Sequence, residues 1–379
     1  MLELTLVLAA VAVACAIPGV FLVLRRTSLI SDAIGHVLLL GIVLAYFLTR
    51  DLDSPWLLFG AALAGLITVL LVEALQSTRR VKSDAAIGLV FPALFALGVL
   101  LVSLKAGNIH LDVDAVLLGQ PESADIARWQ FFGVAVKPLV VVAAVLLGNL
   151  GLCLLLYKEL KLTTFDPVHA VTLGYRPESV HYGLMAVVSV TAVAAFDAVG
   201  PVLVVGFFVV PAATAFLLTD RLGRMIVLAC GIVVLGSVLG VVVAAAFDTN
   251  TAGSVAAVLG LFFGLAFLFA PLRGQLPLAL ARREQRRRFE EALLLVHLYQ
   301  HEGRPEEADE ARLDGLHAHL RWTAARVAPV VSRATQSGLV RRDGDLLKLT
   351  DTGRELARRL FGPLPSNSHR SAGDGRLGD

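Results

Sequence analysis

Residues 19–36 read Gly19-Val-Phe-Leu-Val-Leu-Arg-Arg-Thr-Ser-Leu-Ile-Ser-Asp-Ala-Ile-Gly-His36. The stretch closes one apolar run, places two arginines side by side, and opens a second apolar run that carries a carboxylate and an imidazole. A bilayer-crossing helix needs about 20 apolar residues, and the two runs extend over 2–24 and 28–48. No basic region precedes the first run and no small-residue cleavage site follows it, so it reads as a retained span. Asp32 and His36 stand four apart and share one face of the second span.

The pattern repeats outward from this point. Further apolar runs lie at 56–76, 84–104, 134–156, 180–197, 200–218, 223–247 and 254–272, which predicts about nine transmembrane helices. The pair around Gly200-Pro201 is short and close together, so a tight hairpin or a partly re-entrant element is expected there. The composition agrees. Of 379 residues 56% are hydrophobic and 17% charged, with a mean hydropathy of +0.75, whereas a soluble domain is roughly 45–50% apolar and about 25% charged. An ordinary soluble enzyme is excluded.

The charge is unevenly divided. Residues 1–271 carry 14 Lys+Arg and 16 Asp+Glu, and residues 272–379 carry 19 and 15. The expected fold class is therefore an all-α polytopic membrane protein with a C-terminal soluble α+β domain. The expected boundaries are a membrane domain at 1–275, a basic connector at 276–288, a soluble domain at 289–362 and a disordered tail at 363–379. Arg25-Arg26, Arg79-Arg80-Lys82, Lys158-Lys161-Arg176 and Arg221-Arg224 fall in alternate loops. That bias places the N-terminus outside and the C-terminal domain in the cytoplasm of a multi-pass cell-membrane protein. Cys15, Cys153 and Cys230 sit in apolar runs without ligand spacing and read as packing residues.

Ionisable groups at membrane depth are functional candidates. Asp32 and His36 offer one oxygen and one nitrogen, half of a site for a divalent cation of the manganese, iron or zinc kind. The plainer alternative pairs Asp32 with Arg25 or Arg26 and leaves His36 as an interior hydrogen-bonding group. Asp197, at the outer end of the sixth span, either lines an entry route or faces outer water. His110, Asp112 and Asp114 lie in the longest outer segment and would attract a cation at the outer mouth or form a solvated face. Glu73 is expected to pair with Arg79 or Arg80, and Asp84 to cap the fourth span. In the 157–179 loop, Asp166 can cap a short helix, Pro167 can begin it and Gly174 can end it, which makes a docking element for a partner. There is no Gly-Lys dipeptide and so no phosphate-binding P-loop; no serine–glycine elbow or H-E-x-x-H is present either. No catalytic residue is expected in this chain.

The 19–36 stretch resembles the permease family of ATP-binding-cassette importers for zinc, manganese and iron. Four further stretches carry the resemblance over about 1–272: Asp84-Ala-Ala-Ile-Gly-Leu-Val-Phe with Phe95-Ala-Leu-Gly98, His110-Leu-Asp-Val-Asp with Leu118-Gly119, Phe165-Asp-Pro with Leu173-Gly174, and Val199-Gly-Pro-Val-Leu-Val-Val-Gly with Pro211-Ala-Ala-Thr-Ala215. The resemblance implies a transport subunit with no permanently bound cofactor, paired with a second permease chain (a homodimer in the simplest case), a cytoplasmic ATPase and an extracytoplasmic metal-binding protein. It also implies that Asp32 and His36 lie on the translocation path, and that Phe165, Asp166, Pro167, Ala170, Leu173 and Gly174 couple to the ATPase. The chain departs from the family pattern in having Leu40-Gly41 where Pro-Gly is common, and Asp197 where many members have Gln.

In the tail, Leu293, Leu294 and Leu298 predict one helix, Leu313, Leu316 and Leu320 a second, and Val327, Val330, Val331 and Ala334 a third that ends near Gly338. A hairpin turning at Asp343-Gly344 and a final helix after Thr350 complete the pattern. It resembles a winged-helix domain of the metal-dependent repressor type related to diphtheria toxin repressor, and no repressor metal ligands transfer to it. Arg326, Arg333 and Gln336 would face nucleic acid, a partner possible here but less favoured than the anionic membrane surface for the basic connector. His297 and His301 stand four apart and could sense metal, though a solvated helix face is the expectation. The leading function is thus the permease of a divalent-metal importer, with Mn²⁺ slightly preferred over Zn²⁺ or Fe²⁺. The alternatives are a membrane-tethered winged-helix regulator and a permease for a metal chelate such as a siderophore.

Overall fold

A computed structural model describes residues 2–50, 54, 56–105 and 137–361. His110, Asp112 and Asp114, and the tail at 363–379, lie outside the described residues. The chain divides into two compact units, 1–277 and 278–379.

The first unit is helical throughout its described part. Helices α1 (Leu2–Leu24), α2 (Leu29–Thr49), α3 (Trp56–Ser77), α4 (Ser83–Lys105) and α5 (Lys137–Leu155) are followed by the short α6 (Tyr157–Phe165) and α7 (Pro167–Thr172). Then come α8 (Pro177–Val199), α9 (Pro201–Leu218), α10 (Leu222–Phe247) and α11 (Thr251–Phe269). Among the described residues, seven helices are long and apolar enough to cross a membrane, and α5 with α6 makes an eighth if that pair, bent by 70°, is one span. Leu203–Leu218 of α9 is a shorter apolar helix. Every expected run is therefore a helix, and the span count rests on how α5–α6 and α9 are treated.

These helices are apolar nearly all round, so burial is decided by small residues that admit close approach rather than by a sharp amphipathic stripe. Helix α1 packs against α5, α8, α9 and α10, with Leu8, Val11, Cys15, Val20 and Leu22 fully buried. Helix α2 packs against α3, α4, α8 and α9. It crosses α3 at Gly41, where a Cβ would run into the Gly60 backbone. The chain has Leu40-Gly41 where Pro-Gly is common in the family pattern, and α2 runs without interruption to Thr49. Between α8 and α9 a single residue, Gly200, makes the turn at φ 79°, a value that glycine adopts without a Cβ penalty. Pro201 begins α9, so the close connection expected around Gly200-Pro201 is a one-residue link between two helices.

The second unit runs through α12 (Gln275–His301), α13 (Glu307–Glu310), α14 (Leu316–His319), α15 (Ala324–Gln336), β1 (Val340–Asp343), β2 (Leu346–Leu349) and α16 (Asp351–Phe361). Two tail expectations change. The basic connector belongs to one long helix, since its Arg, Glu, Gln and Leu residues are strong helix formers and Arg288–Glu284 and Arg286–Glu290 each pair at i,i+4 spacing. The second tail helix is broken in two. Backbone groups of 311–313 leave the helix to bond the hairpin: Leu313 N donates to Asp345 O at 3.0 Å and Leu347 N donates to Ala311 O at 3.0 Å. The hairpin forms as expected, antiparallel with Val340 opposite Leu349 and Gly344 at φ 68°. Thr350 Oγ1 caps α16 by accepting from Gly353 N at 3.1 Å. Leu294, Leu298, Leu316, Val330, Val340, Leu347 and Ala357 form the core.

A candidate metal path and a docking element

Asp32 stands in the first turn of α2 and His36 one turn deeper. Asp32 Oδ1 lies 3.4 Å from His36 Nε2. The imidazole stacks on Phe91 of α4, with centroids 5.5 Å apart, and meets Phe95 edge-on at 6.0 Å. These rings fix the imidazole plane while its neighbours Ala33, Ile34, Gly35 and Val37 are buried. The side chains of His36 and Asp32 remain 36% and 42% exposed. The stripe Leu29, Asp32, His36 and Leu39 is thus the incompletely covered face of α2. Asp32 does not take Arg25 as its partner. Among the described residues no third His, Cys, Asp or Glu of the first unit converges on the pair. Two ligands of mixed N and O type form half of a coordination sphere. Of Asp197 the structure describes only the backbone, in the last turn of α8.

Arg25 instead clasps the end of α6. Its Nη2 donates to Thr163 Oγ1 at 3.0 Å and its Nε to Thr164 Oγ1 at 3.1 Å. Its Nη1 lies 3.3 Å from His181 Nδ1 on α8. His181 in turn pairs with Glu73 of α3, which corrects the expected pairing of Glu73 with Arg79 or Arg80. Glu73 lies on a helix face that meets α8, so its carboxylate reaches an inter-helix partner before a neighbour on its own helix. Asp84 is also inside the first turn of α4 rather than at its cap, where a carboxylate still meets the positive helix end. The sequence reading missed His181, Thr163 and Thr164. The one available signal was an ionisable His181 near the start of an apolar run.

This clasp fixes the base of the docking element. Asp166 Oδ1 accepts from His169 N at 2.9 Å, Pro167 occupies the first turn, and Gly174 takes φ 83° after the helix. The expected cap, start and stop are all present. Ala170 is fully buried and seats α7 on the membrane unit, whereas Phe165, Val168, Val171 and Leu173 are exposed. A six-residue helix with four bare apolar side chains around it presents a surface that gains from being covered.

In the tail, His297 and His301 do not form the expected solvated face. Both are partly buried against Glu310, and burial pushes the His297 imidazole below its usual range. Arg326 and Arg333, the residues expected to face nucleic acid, are engaged by Glu290, at 3.1 and 3.2 Å, and Arg333 also by Glu291.

Residues 1–270 match the family described as the ABC 3 transport family. The chain belongs to that family. Within the ABC 3 transport family it is similar to the zinc transport system membrane protein TroD of Treponema pallidum (strain Nichols), at 48% identity over 358 residues, covering 94% of this chain and 98% of TroD. It is also similar to the manganese transport system membrane protein MntD of Bacillus subtilis (strain 168), at 43% identity over 266 residues, 70% of this chain and 90% of MntD. Among solved structures it is similar to PsaBC from Streptococcus pneumoniae in complex with Fab, with a TM-score of 0.61 at 28% identity, covering 73% of this chain and 94% of that one. The TroD match is longer than the first unit, so it extends into the second.

Proposed function

We propose that the chain is the permease subunit of an ATP-driven importer for a divalent transition metal, and that the metal passes Asp32 and His36. The observation that carries the reading is the half-site itself: two ligands on the incompletely covered stripe of α2, in a chain of the ABC 3 transport family. Asp32 and His36 lie in the first two turns of α2 on a face left partly uncovered, and ionisable groups in such segments face protein partners or water rather than lipid. A second permease chain across a shared axis supplies such a partner and brings further ligands. An incomplete site also suits transport, because the ion must leave as well as enter.

The relatives' names support zinc or manganese as cargo. The Asp–His pair without thiolate suits Mn²⁺ slightly better and accepts Zn²⁺ and Fe²⁺ as well. A separate ATPase docks on Phe165, Val168, Val171 and Leu173 around α7, with Asp166, Pro167, Ala170 and Gly174 shaping that helix. An extracytoplasmic metal-binding protein delivers cargo to the opposite face, where Asp197, His110, Asp112 and Asp114 contribute negative or ligating groups. The basic loops place α7 and the tail in the cytoplasm and the N-terminus outside. The second unit is a winged-helix module in this reading, with a regulatory or protein-contact role, since its helix α15 arginines are held by α12 carboxylates.

The test is uptake of radioactive Mn²⁺ and Zn²⁺ into vesicles holding the chain, its ATPase and its binding protein. ATP-dependent accumulation of either metal is expected. Accumulation only of a metal chelate, or none of any metal, overturns the reading.

A further inference from the structure

We propose that His297, His301, Glu310 and His319 form a second metal site, in the C-terminal unit, for a divalent transition cation of the zinc class. His297 and His301 stand one turn apart on α12 with ring centroids 5.0 Å apart. The chain then folds back through α13 so that the Glu310 carboxylate faces them. Glu310 Oε2 is 3.4 Å from His297 Nε2 and 2.8 Å from His319 Nδ1. The His319 ring, at the end of α14, stacks 6.0 Å from that of His297. One ligand atom each from His297, His301 and Glu310 lies within 4.8 Å of the others, and no other three such groups among the described residues converge in this way.

The surroundings suit a bound ion. The four side chains are 12%, 22%, 22% and 34% exposed for His297, His301, Glu310 and His319, sheltered yet open to entry. His301 Nδ1 is buried and makes no hydrogen bond; its nearest carboxylate oxygen, on Glu306, is 3.8 Å away. A buried polar atom without a partner calls for an explanation, and coordination supplies one. His297, His301 and Glu310 supply three converging ligands, and His319, whose Nδ1 meets Glu310 Oε2, would complete a four-coordinate Zn²⁺ sphere by turning toward the ion. Imidazole-rich donors also accept Co²⁺, Ni²⁺ and Cu²⁺ and disfavour Mg²⁺ and Ca²⁺. The ligands come from α12, α13 and α14, so a bound ion would tie the broken segment 307–319 to the long helix. His297 Nε2 also lies 3.1 Å from the Glu310 main-chain carbonyl; that contact holds the turn in the metal-free chain and is exchanged for the ion when this nitrogen ligates.

The site is independent of the Asp32–His36 pair, and the test keeps the two apart. The full chain carrying Asp32→Asn and His36→Ala is purified and titrated with Zn²⁺ by calorimetry and with Co²⁺ by visible absorption. One Zn²⁺ per chain and the ligand-field bands of four-coordinate Co²⁺ are expected. Adding His297→Ala with His301→Ala abolishes both signals. Glu310→Gln, which keeps shape and hydrogen bonding, weakens Zn²⁺ by more than the roughly 10–100-fold typical of losing an outer-shell partner and leaves the metal-free unfolding temperature unchanged. If the double variant does not fold, Glu310→Gln and His301→Gln carry the test. Absence of stoichiometric binding, or unchanged affinity in these variants, overturns the proposal.

Discussion

Asp32→Ala and His36→Ala each reduce ATP-dependent metal uptake to background, and the double variant is no worse than either alone. The ligands act on one ion, so removing one leaves a single donor on the α2 stripe and the contributions do not add. Each side chain is more than a third exposed and lies outside the buried core, so neither change opens a cavity comparable to a core truncation. Assembly and membrane insertion are therefore retained. The His36 imidazole also packs on Phe91 and Phe95. His36→Phe separates the two roles: it keeps the ring stack and loses the ligand, and uptake stays at background. Normal uptake in Asp32→Ala and His36→Ala would remove the pair from the path.

The second large effect falls on α7. Val168→Asp with Val171→Asp abolishes metal-stimulated ATP hydrolysis and uptake while leaving the permease folded. Both side chains are exposed, at 75% and 60%, so carboxylates there meet water in the free permease. In the docked state they would be buried without partners, which charged groups do not tolerate. Co-purification with the ATPase measures this directly and should fall in proportion. Ala170→Asp is the contrasting case. Its side chain is fully buried, so the expected result is a misfolded loop and poor expression rather than clean uncoupling. Retained ATPase binding in the Val168/Val171 variant would move the docking surface elsewhere.

The membrane helices were legible because bilayer thickness dictates run length, and the run from residue 28 to 48 became α2 with its ends nearly unchanged. The α7 element was equally legible, since Asp166, Pro167 and Gly174 each act through backbone chemistry local to a few residues. What the sequence concealed was inter-helix pairing. Glu73 and His181 are 108 positions apart and nothing in their neighbourhoods points from one to the other. Arg25 looked like a partner for Asp32 by proximity in sequence, yet the Thr163–Thr164 end of α6 captures it. The tail failed in the same way. The Leu313, Leu316 and Leu320 spacing matched a helix, but strand β2 competes for the 311–313 backbone, and the break is what lets Glu310 and His319 meet His297. Periodicity reports which face is apolar; it does not report which distant backbone will claim a residue.

The most direct test of the metal path is electron spin echo spectroscopy of Mn²⁺ bound to the purified permease pair. The tail site is first silenced by His297→Ala and His301→Ala, so that only the α2 region binds. A directly coordinated imidazole imprints a ¹⁴N modulation on the Mn²⁺ signal. The account predicts that modulation in this background and its loss when His36→Ala is added. Bound Mn²⁺ with the ¹⁴N modulation unchanged by His36→Ala, or with none at all, would contradict it.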